Sequence, residues 1–181
     1  MATRMTPKEF AGRVRALAGK YQQFNKMFID ELSKMGYDVA NVKFANAVYA
    51  GVNDVEVTLN QDGNNDKQSA VISANGYSVL FIEFGSGITK TDAWDERRLS
   101  DKPIAEHGEY GYKRGSNPSG WEYYGEVGKN PPSDTRIVKT TNKGTLVRTM
   151  GNNATHAMYD ARKAILNAYL KTAKEIFGGA F

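Results

Sequence analysis

Apolar residues recur at steps of three and four from Phe10 to Met35, passing through Val14, Leu17, Tyr21, Phe24, Phe28 and Leu32. That period places them in one stripe of an α-helix, about 43 Å long at a rise of 1.5 Å per residue. The start is well marked, with Thr6 as the cap, Pro7 at the first helical position and Glu9 completing a capping box. Gly36 is expected to end the helix. A helix this long in a chain of 181 residues either lies across a sheet with its stripe buried or extends in part toward another chain.

Beyond it the pattern shortens. Residues 38–49, with Asp38 as cap and Val39, Val42, Ala45 and Tyr49 on one side, predict a second, shorter helix. Alternation then takes over at Val55, Val57 and Leu59, again at Ala70, Ile72 and Ala74, and a third strand is expected from Tyr77 to Phe84. A polar turn at 60–66 containing Gly63, and the pair Asn75-Gly76, would join the three as a meander. The third segment continues as SVLFIEFGSGI over residues 78–88. In a strand, Val79, Phe81 and Glu83 share one face and Leu80, Ile82 and Phe84 the other, so a lone carboxylate sits among apolar neighbours. Such a group needs hydrogen bonds or a cation, and the adjacent residues supply neither. Its partner is expected near the base of the following loop or in another subunit.

From Gly85 to Asp134 no period is visible, yet the segment holds Trp94, Tyr110, Tyr112, Trp121, Tyr123 and Tyr124. That aromatic density is foreign to disordered linkers and predicts an ordered docking loop. A hairpin is expected from residues 136–140 and 145–148 around Asn142-Lys143-Gly144. A closing helix should open near Asn152 to Thr155 and run to about Phe177, with Met158, Ala161, Ile165, Ala168, Thr172 and Ile176 in one line and Leu166, Leu170, Ala173 and Phe177 in the next. Gly178-Gly179 ends it. No repeat or linker divides the chain, so residues 1–181 read as a single α+β domain. Its small, mostly antiparallel sheet is flanked by long N-terminal and C-terminal helices, and residues 85–135 form an extended assembly loop.

Composition narrows the chemistry. There is no cysteine, so disulfides, thiolate metal sites and a cysteine nucleophile are excluded. The 24 basic residues exceed the 20 acidic ones by a net charge of +4, spread along the chain, which is weak support for a dedicated nucleic-acid surface. No membrane-length apolar run and no signal-peptide pattern is present, so a soluble protein made in the cytoplasm is expected. His107 and His156 do not share a metal-binding spacing, Asp92, Asp95 and Glu96 do not follow a calcium-loop pattern, and GSGITK lacks the ending of a phosphate-binding loop. GSNPSG lacks the strand-to-helix context of a nucleophile elbow. No catalytic residue, metal or cofactor is expected. The aromatic loop suits a protein contact, because Trp, Tyr and Arg bury large areas while keeping their polar tips satisfied.

FIEFGSG at Phe81 to Gly87 resembles a segment of the tail-completion, or neck, proteins of long-tailed bacteriophages, in which a strand ends in V/I-E-F-G-T/S-G. Three further segments are similar to that family's pattern: YAGVNDVEV at Tyr49 to Val57, GSNPSGWEYYG at Gly115 to Gly125, and GNNATHAMYDA at Gly151 to Ala161. In the last, Asn153 stands where the family usually has Pro, and His156 where a basic or apolar residue is more common.

The resemblance implies a virion structural protein with no substrate, forming a ring, as a homohexamer, at the head-tail junction. Such a ring would join the head connector or stopper protein to the tail terminator or tube protein, and DNA would pass through it without sequence-specific binding and without any membrane. Residues expected at contacts are Phe81, Glu83 and Phe84, with Gly85 and Gly87 as a hinge, and Trp94, Trp121, Tyr123 and Tyr124 as anchors. The alternatives are a DNA-binding module of the same particle, suggested by the positive charge and loop aromatics, and a small hydrolase built on Glu83 or Glu122.

Overall fold

A computed structural model of the protein describes residues 6–64, 67–85, 120–152 and 154–178, apart from the side chain of Trp121. Helix α1 spans Pro7–Ala45, and the strands β1 (Glu56–Gly63) and β2 (Gln68–Asn75) follow as a hairpin. A short helix α2 (Val79–Phe84) comes next, then β3 (Trp121–Tyr124), β4 (Arg136–Thr141), β5 (Gly144–Thr149) and the closing helix α3 (Ala157–Phe177). The α+β architecture with long terminal helices is the expected one. The sheet, however, is divided: β1 and β2 form one antiparallel pair, and β3, β5 and β4 form a second antiparallel sheet with β5 in the middle. Among the described residues no helix is long and apolar enough to cross a membrane.

The start of α1 is as the sequence predicts. Thr6 accepts the N–H of Glu9, whose carboxylate in turn accepts the N–H of Thr6 at 2.8 Å. Its end is not. Gly36 does not stop the helix, and the predicted second helix at 38–49 is the continuation of α1 to Ala45. Gly36 marks a close approach instead, since a Cβ there would lie 2.5 Å from Ile165 Cδ1 and 2.8 Å from Ile72 Cδ1. The missing side chain lets α1 press onto α3 and β2 together, a packing role that the same residue type conceals when read as a terminator.

α1 and α3 run antiparallel. Lys43 pairs with Asp160, Gly36 meets Ile165, the Phe28 and Tyr169 rings stand edge to face at 5.3 Å, and Phe177 closes the row against Tyr21, Phe24 and Phe28. Lys43 in the last turn of α1 and Asp160 in the first turn of α3 also oppose the dipole ends of their own helices. The core lies where the C-terminal half of α1 meets β1, α2 and the start of α3, around Ala40, Phe44, Val57, Ile82, Ala157 and Ala161. Ser33 links the first hairpin to α1 by accepting from Gln61 Nε2 at 3.1 Å.

Residues 79–84 are the main correction. They form a helix, not a third strand, and Asn75-Gly76 leads into it rather than closing a second hairpin. Helical spacing turns Ile82 and Glu83 inward and leaves Leu80 and Phe81 exposed, so Phe81 and Glu83 do not share a face. An unbroken apolar run of this length is ambiguous between strand and helix, and here the tertiary partners at both ends decide. The predicted hairpin at 136–148 is present, with Thr141 paired to Gly144 and a register shift between Ile137 and Lys139. The expected loop of 85–135 contains a strand, β3, which pairs with β5 from Trp121 opposite Thr149 to Tyr124 opposite Leu146.

Candidate functional site

The described parts of the segments that carry the phage resemblance are joined by hydrogen bonds, at the C-terminal end of α2 and between β3 and residues 49–51. The N-terminal end of α2 is held by Asp54, whose carboxylate accepts the backbone N–H of Tyr77 at 2.8 Å and of Ser78 at 2.9 Å, and also the Ser78 hydroxyl. The Ser78 hydroxyl first, then these two amides, hold the Asp54 carboxyl down at about 2. Gly76 is required for the approach: its φ is 139°, and a Cβ there would lie 2.6 Å from the Asp54 carbonyl oxygen. Neighbouring Asn53 donates to the Phe44 carbonyl at 2.7 Å, so residues 53 and 54 tie the end of α1 to the start of α2.

At the other end, α2 is bound to the segment leading into α3. The carbonyls of Phe81, Ile82 and Glu83 accept from Asn152 Nδ2, Thr155 N and His156 N at 3.1, 2.8 and 3.2 Å respectively. The Glu83 carboxylate accepts the N–H of Met158 at 3.0 Å and of Tyr159 at 3.2 Å. These amides belong to the first turn of α3, whose own cap residue, His156, makes no side-chain cap bond. Glu83 therefore supplies that cap from outside the helix, and its negative charge sits at the positive end of the α3 dipole. Only 6% exposed, it is satisfied by hydrogen bonds near the loop base, as expected, and within its own chain. No neighbouring subunit is needed for it.

The third connection runs through Tyr123 on β3, whose hydroxyl donates to the Ala50 carbonyl at 3.0 Å, while Gly128 N donates to the same carbonyl at 2.8 Å. Burial pushes the Tyr123 phenol up, and burial followed by the charge of Asp54 does the same to Tyr49. Tyr123 thus anchors the loop return to residues 49–51 inside the chain.

The remaining expected contact residues separate by exposure. Phe81 is 52% exposed and Tyr124 is exposed, whereas Phe84 and Gly85 are half-buried, Gly85 with φ of 81°. Gly87 and Trp94 lie outside the described residues, as does the side chain of Trp121. Of the carboxylates assigned to a hydrolase, Glu83 is engaged at the α3 N-terminus, and Glu122 lies 3.9 Å from Arg148 across the β3–β5 pair.

Three apolar surfaces stand out, one of them, on α3, in an element that sequence reasoning did not assign to contacts. The first is the N-terminal part of α1, where Phe10, Val14, Leu17 and Tyr21 are all exposed. The second is Leu80 and Phe81 on α2, and the third Leu166 and Leu170, one turn apart on α3. The signal for the first was present in the sequence as a stripe longer than the helix facing it. No family model matches the chain, and neither a curated protein nor a solved structure is found to match it.

Proposed function

We propose that this protein is a structural component of a bacteriophage particle, assembling as a hexameric ring at the neck between the head connector and the tail. It acts by complementarity: lateral surfaces join its own copies, and axial surfaces meet the connector or stopper on one side and the tail terminator or tube on the other. DNA passes through the resulting channel without base-specific contacts. The observation that carries this reading is the separation of the exposed apolar faces. The α1 face lies beyond the C-terminal end of α3 and the α2 face at its N-terminal end, about 31 Å apart along a helix of 21 residues. A closed ring needs two different surfaces on each subunit rather than one self-complementary patch. Further support comes from the four resembling segments, which hydrogen bonds join in two pairs: Glu83 accepts from the first turn of α3, and Tyr123 donates to the Ala50 carbonyl.

Immunogold labelling of purified particles, with native mass spectrometry of the isolated neck, tests the proposal. Label at the head-tail junction and a mass of six copies are expected. A protein absent from particles overturns it.

A further inference from the structure

The apolar stripe of α1 continues past its partner. Tyr21, Phe24 and Phe28 pack on Phe177 of α3, and at this point α3 ends. Leu17, Val14 and Phe10 prolong the same line, at strict steps of four and three, for about 17 Å more of helix. Spacing of this kind is that of a helix-helix seam. Leu17 is 58% and Phe10 61% exposed, so the outer half of the seam is uncovered among the described residues.

Two arms packing antiparallel on each other are disfavoured by charge, because Arg13 of one copy would face Lys20 of the other beside the seam. Beside the seam the arm carries Arg13 and Lys20, one heptad apart, and over residues 6–20 it has four bases, Lys8, Arg13, Arg15 and Lys20, against the single acid Glu9. Arg13, Arg15 and Lys20 form no ion pair among the described residues.

A complementary surface exists on the same helix. On the side of α1 turned away from the core, Met27, Glu31, Asp38 and Val42 fall within one narrow arc and are exposed, with Lys34 as the one base among them. We propose that the projecting N-terminal turns of α1 dock on this outward face of α1 in a second copy of the chain. The inference rests on the ring reading above and names the lateral contact within it. The contact joins two different surfaces, basic-apolar to acidic-apolar, so each subunit can give its arm to one neighbour and receive the arm of another.

Charge exchange tests it. In sedimentation velocity at up to about 1 mM protein, the range of a weak contact, wild-type chain is expected to form species larger than a dimer. Arg13→Glu with Lys20→Glu, and separately Glu31→Lys with Asp38→Lys, should each weaken association by about tenfold or more, with helicity by circular dichroism unchanged. An equimolar mixture of the two variants should recover assembly, because each arm then finds an opposite flank. Wild type that remains monomeric, or variants that associate as wild type does, overturn the inference. So does a mixture that fails to recover, or an arm reversal that abolishes duplex DNA binding while leaving self-association intact. Each of these leaves neck localisation in particles as an independent result, so the docking contact and the ring reading fail separately.

Discussion

Glu83 Oε1 accepts the backbone N–H of Tyr159 at 3.2 Å, so a side chain at the end of one helix closes the first turn of another 76 positions away in sequence. Removing it opens that turn. Glu83→Ala leaves the part-buried amides of Met158 and Tyr159 without this acceptor and is expected to cost about 1–2 kcal/mol. Glu83→Gln retains one acceptor and should cost less. Urea unfolding of the three proteins checks the order, and an alanine variant as stable as wild type would remove Glu83 from this role.

The close approach at Gly36 gives a second prediction. Alanine there gains about 1 kcal/mol of helix propensity, but its methyl meets Ile165 and Ile72 from two sides, an overpacking of about 1–3 kcal/mol. Gly36→Ala is expected to destabilise, and Ile165→Val, which removes the methyl nearest the new Cβ, should recover much of that loss. A thermal-denaturation double-mutant cycle with no coupling between the two sites would contradict the packing account.

Asp54 ties stability to acid pH. Its carboxyl is lowered from an ordinary value of 3.8 to about 2 in the folded chain, so the ionised form is the one that folding favours. The contribution is complete above about pH 4 and disappears as pH falls through about 2, where the folded group protonates. Asp54→Asn should lower the melting temperature at pH 6, and the gap from wild type should narrow between pH 4 and pH 2. A gap that is constant across that window would show that the charge of Asp54 is not involved.

His156 is the one described residue other than glycine with positive φ, at 54°. An ordinary side chain in that conformation costs about 1–2 kcal/mol, and a β-branched one costs more. His156→Asn, which tolerates the left-handed region, is expected to be neutral or stabilising, whereas His156→Val should lower stability by about 1 kcal/mol or more. Equal unfolding midpoints for the two variants would argue that backbone strain at this position is negligible.

By itself the sequence determined the elements whose signals are local. The capping box of Thr6 and Glu9, the alternation that makes β1 and β2, the hairpin at Gly144 and the periodicity of α3 all depend on residues a few positions apart, and all are legible without a fold. The requirement that Glu83 be satisfied was legible too, because the cost of burying a carboxylate is independent of topology. Tertiary structure alone decided the rest. Gly36 reads as a helix end until α3 and β2 are seen pressing on it. Residues 79–84 read as a strand until Asp54 and the first turn of α3 are seen satisfying their two ends. In both places the deciding partner is remote in the chain, and a hydrophobic period records which residues avoid water but not which neighbour covers them.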